Sequence, residues 1–144
     1  MTRKRSPLGR LLRLREIREK AERIELARAT RSELEAAERE AIARAAEEDF
    51  IQPLDLMRPA QLRAMQLMGV RLVEIREAAA ADHDEAQRQL DAQRESWRRA
   101  AVDLDGAEAL EEKRKLAAAT LARAAAERAQ DDLQVVRRRR EATQ

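Results

Sequence analysis

Along the first part of the chain, Leu14, Ile17, Ala21, Ile24, Ala27, Leu34, Ala37 and Ala41 recur at spacings of three, four or seven. That period marks one stripe of a helix. From Leu8 to about Glu48 only Gly9 interrupts good helix formers, and Ser6-Pro7 offers a cap followed by a residue suited to the first helical position. The spacing predicts a helix over 8–48, with Ile17, Ile24 and Leu34 as seam anchors. Glu16–Lys20, Glu19–Arg23, Glu35–Arg39 and Glu40–Arg44 are i,i+4 pairs in the favourable order, each worth about 0.2–0.5 kcal/mol.

The pattern stops at Asp49-Phe50-Ile51-Gln52-Pro53. Pro53 cannot donate a helical hydrogen bond and biases Gln52 away from helix. Residues 49–58 therefore read as a turn, whose Phe50, Ile51, Leu54, Leu56 and Met57 are expected to plug the hairpin tip. A second helix is expected over 59–138. A strict heptad frame fits it through Leu62, Met65, Gly69, Leu72, Arg76, Ala79, His83, Ala86, Leu90, Gln93, Trp97, Ala100, Leu104 and Ala107. It continues through Glu111, Arg114, Ala118, Leu121, Ala125, Arg128, Asp132 and Val135, where seam quality falls. Leu90, Trp97 and Leu104 are its expected anchors.

A repeat of seven residues implies a left-handed supercoil. The expected fold is all-α: one domain over 1–144, a long antiparallel two-helix coiled coil, or helical hairpin, with the second helix longer than the first. At 1.5 Å per residue the helices would be about 60 Å and about 120 Å long, leaving the C-terminal third without a permanent partner. Asp105-Gly106 is a turn dipeptide, and a bend there would give a three-helix bundle instead. One helical Gly costs only about 1 kcal/mol, and the frame passes through Leu104 and Ala107 without slipping, which favours the continuous helix.

Composition narrows the function. Charged residues make up 40% and aromatics 1%, and nearly half of the apolar residues are Ala, so the core is a thin seam rather than a ball. Net charge is only +2, but Arg3, Lys4, Arg5, Arg10, Arg13 and Arg15 open the chain and Arg137, Arg138, Arg139 and Arg140 nearly close it. In a hairpin the two basic ends would join in one positive patch. Only Phe50 and Trp97 are aromatic, so base stacking is poorly served and nucleic acid is not the expected partner. There is no cysteine and no phosphate-binding loop, and no apolar run reaches signal-peptide or membrane-spanning length. His83 is the only histidine, and Ala79 and Ala86 on its face cannot ligate a metal. No catalytic pair, metal, cofactor or small-molecule substrate is expected, and the default is a soluble cytoplasmic chain.

Two features exceed what a seam requires. Leu67, Met68, Val70, Val73 and Ile75 cover faces other than the seam, either beneath the tip loop or as a docking surface. Met68, Leu72, Ile75 and Ala79 form an i, i+4, i+7, i+11 ridge, the spacing of a helix-docking face. Trp97 either fills an alanine-lined seam or anchors a partner.

Leu11-Leu12-Arg13-Leu14-Arg15-Glu16, continuing to Ala21 and Glu25-Leu26-Ala27-Arg28-Ala29, resembles the start of the FliJ-type flagellar export proteins. Ser96-Trp97-Arg98, Leu104 and Leu110-Glu111-Glu112-Lys113-Arg114 resemble their second-helix signature. The resemblance implies a non-enzymatic, cytoplasmic component of type III export, active in flagellar biogenesis and motility and held at the inner face of the cell membrane. Such proteins are stalk-like coiled coils that engage a hexameric export ATPase, contact the cytoplasmic domain of the export-gate membrane protein, and escort export chaperones. By that resemblance the gate-binding ridge falls on Met68, Leu72, Ile75 and Ala79. The ATPase ring would meet Arg10, Arg13, Arg137, Arg138, Arg139 and Arg140. The rival is a self-associating scaffold coiled coil that touches nucleic acid or membrane through its basic ends.

Overall fold

The computed structural model describes residues 7–50 and 58–142. All regular structure among them is helical: α1 spans Pro7–Glu48 and α2 spans Pro59–Ala142. With 42 residues in α1 and 84 in α2, the second helix is the longer, as the pattern predicts. Ser6 and the turn residues Ile51, Pro53, Leu54, Leu56 and Met57 lie outside the described residues, as do Arg3, Lys4 and Arg5.

Local chemistry sets the ends that face the turn. At the close of α1 the Asp49 N–H donates to the Ala45 carbonyl at 2.9 Å, and the Phe50 N–H donates to that of Glu47 at 3.2 Å. At the start of α2 the Gln61 side chain reaches back to accept the Arg58 N–H at 3.1 Å. This is the returning half of a capping box, and Pro59 fills the first helical position beside it. α2 runs through Asp105-Gly106 unbroken, which sets aside the three-helix bundle. A Cβ added at Gly106 would meet nothing within 4 Å, so no close backbone approach demands glycine there.

The chain divides into two compact units, Arg18–Ala101 and the pairing of Met1–Ile17 with Val102–Gln144. Within Arg18–Ala101 the helices run antiparallel: Glu47 meets Arg76, Glu40 meets His83, Glu22 meets Gln93 and Glu19 meets Trp97. Its buried residues are Glu19, Ala36, Ala43, Ala86, Leu90 and Ala100. In the other unit Arg15 pairs with Asp103 at 2.9 Å and Ala107 is buried. Beyond Glu111, Ala124 alone among the described residues is less than exposed. No helix among the described residues is long and apolar enough to cross a membrane.

The heptad frame of α2 coincides with its shielded residues from Met65 to Glu111. In α1 the shielded face differs from the expected one. With Gly9, Glu16 and Ala37 half-buried beside it, it runs through Leu8, Leu12 and Arg15 before Arg18, then Glu19, Glu22, Leu26, Ala29, Glu33, Ala36, Glu40, Ala43 and Glu47, and ends at Phe50. These positions alternate spacings of four and three without a slip. The expected anchors Ile17, Ile24 and Leu34 are instead exposed, at 57%, 55% and 62%. The reason is geometric. The expected stripe moves from the third and sixth positions of the heptad at Leu14–Ile24 to the second and fifth at Leu34–Ala41. It winds around the helix and cannot stay against one partner, whereas the mixed Ala/Glu stripe can.

This assignment separates two neighbouring residues. Ala36 is 1% exposed, so Ala36→Leu should overpack the seam and cost about 1–3 kcal/mol. Leu34→Gln, on the outer face, should stay within about 0.5 kcal/mol of the parent. Chemical denaturation followed by circular dichroism reads both; the reverse ranking would restore the expected stripe.

Candidate interaction surfaces

The seam of Arg18–Ala101 carries charge where a coiled coil usually carries large apolar residues. Trp97 Nε1 donates to Glu19 Oε1 at 2.9 Å, and that oxygen also accepts from Arg23 Nε at 3.1 Å and Nη2 at 2.6 Å. One helical turn on, Glu22 Oε2 accepts from Gln93 Nε2 at 2.6 Å and from Ser96 Oγ at 2.9 Å. His83 Nδ1 lies 2.6 Å from Glu40 Oε2, and its Nε2 lies 3.2 Å from Glu33 Oε1. Arg76 Nε sits 2.5 Å from Glu47 Oε2 as a charge contact, since that buried N–H completes no directed hydrogen bond.

These contacts fix the protonation of the acids. The Trp97 hydrogen bond, then Arg23, holds the Glu19 carboxyl below its ordinary value, against the opposing effect of burial. His83 does the same for Glu40, with Arg44 assisting. In the other unit Arg114 lowers Glu111, the last shielded residue of the α2 frame. Sequence reasoning placed Trp97 and His83 in the frame but missed their acceptors. His83 is separated from Glu40 by 43 residues and from Glu33 by 50. The available signal was the α1 heptad itself, where Glu19, Glu33, Glu40 and Glu47 keep one register.

The proposed docking ridge divides. Met68 and Ile75 are exposed, at 58% and 52%, while Leu72 and Ala79 are half-buried in the seam frame. The free surface lies to one side, where Leu67, Met68, Val70, Arg71 and Glu74 line an open cleft of about 440 Å³. Of the expected α2 anchors, Leu90 is buried, and Trp97 and Leu104 are half-buried.

Among the described residues the basic ends do not join. Arg10 and Arg13 are exposed on α1, in the stretch where Leu11 and Arg15 share a shallow cleft with Val102, Asp103, Ala107 and Leu110. Arg137, Arg138, Arg139 and Arg140 are exposed near the end of α2. On a continuous helix that end lies about 40 Å beyond Leu110, at 1.5 Å per residue. The single positive patch expected from the sequence is therefore two basic zones. Its premise was that both chain ends meet, and α2 overruns α1.

Trp97 is the only tryptophan, so its emission reports the Glu19 contact directly. A carboxyl held below 4.5 stabilises the fold above that pH and loses the contribution as pH falls through the folded value. Trp97 emission should therefore stay constant at neutral pH and change on acidification with a midpoint below 4.5. In Glu19→Gln that transition should vanish. A midpoint at or above 4.5 would contradict the bond.

No family model matches the chain, and no curated protein or solved structure matches it.

Proposed function

We propose that the chain is a non-enzymatic component of the flagellar, type III, protein export apparatus: a stalk-like coiled coil that couples the export ATPase ring to the export gate and escorts export chaperones. One observation carries the reading as an interaction protein. The buried apolar residues are alanines and Leu90, while Leu67, Met68, Val70 and Ile75 are exposed near the start of α2. Large apolar side chains grouped outside a chain's own seam are available to partners. The export assignment itself rests on the resemblance of Leu11–Ala29 and Ser96–Arg114 to FliJ-type proteins.

In this reading the Leu67–Ile75 face takes the cytoplasmic domain of the gate protein. Arg137–Arg140, on a stretch of α2 with no shielded neighbour but Ala124, take the hexameric ATPase, with Arg10 and Arg13 as a separate contact. Arginine suits that role because its planar fork binds carboxylates in bidentate fashion. Catalysis belongs to the ATPase. The chain works in the cytoplasm, at the inner face of the membrane.

A second reading has its own support. Leu116, Leu121, Leu133, Val135 and Val136 are exposed on that same stretch of α2, as a self-associating scaffold would need. Light scattering separates the two, because the export component is monomeric alone and the scaffold is not.

The division of surfaces is directly testable. Leu72 faces the seam, so the variant should spare it. Met68→Asp with Ile75→Asp should weaken gate binding by at least about 30-fold, the loss typical of hot-spot residues, with ATPase binding unchanged. Replacing Arg137–Arg140 by Ala should do the opposite. Equal loss of both partners, or of neither, in a titration by calorimetry would sink the assignment.

A further inference from the structure

The chain holds a single histidine, and both of its ring nitrogens face carboxylates of α1. Nδ1 is 2.6 Å from Glu40 and Nε2 is 3.2 Å from Glu33. A neutral imidazole has one N–H and one lone pair, so between two carboxylates it turns the lone pair toward an acceptor. Only the imidazolium donates on both sides. Glu33 and Glu40 occupy the same heptad position one repeat apart, so His83 spans two rungs of α1 from one rung of α2. We propose that His83 is a proton-operated clamp on the middle of the α1–α2 seam, closed when the ring is protonated and loosened when the proton leaves.

The surroundings support a switch rather than a permanent charge. From α1 the charged groups at the ring are Glu33 and Glu40, and Arg44 shares Glu40 at 2.6 Å. Ala36 and Ala37 between them carry no charge. On α2 the flanking Asp82 and Asp84 are exposed, Glu85 is occupied by Arg88 and Gln89, and Arg76 is held by Glu47. No cation of α2 replaces the imidazolium between the two acids in these contacts. The ring is about a quarter exposed, at 23%, so water reaches it and it exchanges its proton readily.

The Glu40 hydrogen bond, then that of Glu33, raises the His83 pKa above 6.5, against burial. A raised folded value means that the folded chain binds the proton more tightly than the unfolded one. The clamp's contribution is therefore complete below 6.5 and is lost as pH rises through the folded value. That window begins at 6.5, in a range where no other side-chain type titrates unperturbed. The lowered Glu40 value acts at the opposite end, below 4.5, so the two limits bracket the range of firmest pairing.

The test uses the full chain. The lone imidazole gives one set of proton resonances, followed by NMR from about pH 5 to about pH 9 around the histidine range. The titration midpoint should lie above 6.5. It should fall toward 6.5 in the Glu33→Gln, Glu40→Gln double variant. In parallel, the thermal midpoint of the parent should drop by a few degrees as pH rises across that transition, and that of His83→Gln should not. A parent midpoint at or below 6.5, one unmoved by the double variant, or a thermal midpoint flat with pH would each overturn the clamp. If His83→Gln fails to fold, the titrations of the parent and the double variant decide alone.

Discussion

A carboxylate placed between two helices must find a donor there, because it gives up hydration that packing does not return. That requirement governs how α1 meets α2 in Arg18–Ala101. Glu19, Glu22 and Glu40 each accept from a named donor of α2, and the alanines between them let the helices approach closely enough for short side chains to meet. The polar contacts also define register. Seven residues before and after Glu19, the inward positions of α1 are Leu12 and Leu26. A slip of one heptad would set either against the Trp97 N–H and leave it without an acceptor. The same slip would bring Arg15 or Ala29 to the donors of Gln93 and Ser96. Alanine against alanine would tolerate the shift; the acids do not. Polar groups at inward positions specify alignment in this way at some cost in stability.

The two helices were not equally legible. α2 could be read from its pattern because most of its inward residues are apolar or small at a strict seven-residue interval, and Pro59 marks its start. Its passage through Gly106 followed from the same interval. Hydrophobicity does not mark the seam in α1. Its larger aliphatic residues Leu14, Ile17, Ile24 and Leu34 outweigh the alanines that are in fact buried. A strict test of period would have favoured the Ala/Glu stripe, since only that stripe holds its place over the whole helix. The identity of each acid's partner was beyond such reasoning. Within Arg18–Ala101, antiparallel pairing joins residues up to 78 positions apart, at Glu19 and Trp97, and their alignment depends on a turn whose length the pattern does not fix.

The same arrangement explains where the larger apolar side chains went. A seam shared among carboxylates, alanines and a few leucines leaves Leu14, Ile17, Ile24, Leu34, Ile42, Leu67 and Ile75 on outward faces of the two helices. Single exposed aliphatics are ordinary on any protein surface. Leu67, Met68 and Val70 are different, since they line one cleft together with the polar Arg71 and Glu74. Beyond Glu111, α2 draws on local sources of helicity instead. Among them are its alanine content and pairs such as Glu111–Arg114 at 2.9 Å.

An alanine-lined interior separates the scaffold from its faces. In a protein whose aliphatic residues fill the core, changing one alters stability and surface chemistry together. Here the outward Leu, Ile, Met and Val positions contribute little to the pairing of the helices, and surface changes of that kind usually leave stability within about 0.5 kcal/mol. The outward faces can thus change through many substitutions while the hairpin keeps its form. The constraint falls on a few glutamates and their donors, so the evolutionary history of such a chain would be written in its acids rather than its hydrophobic residues.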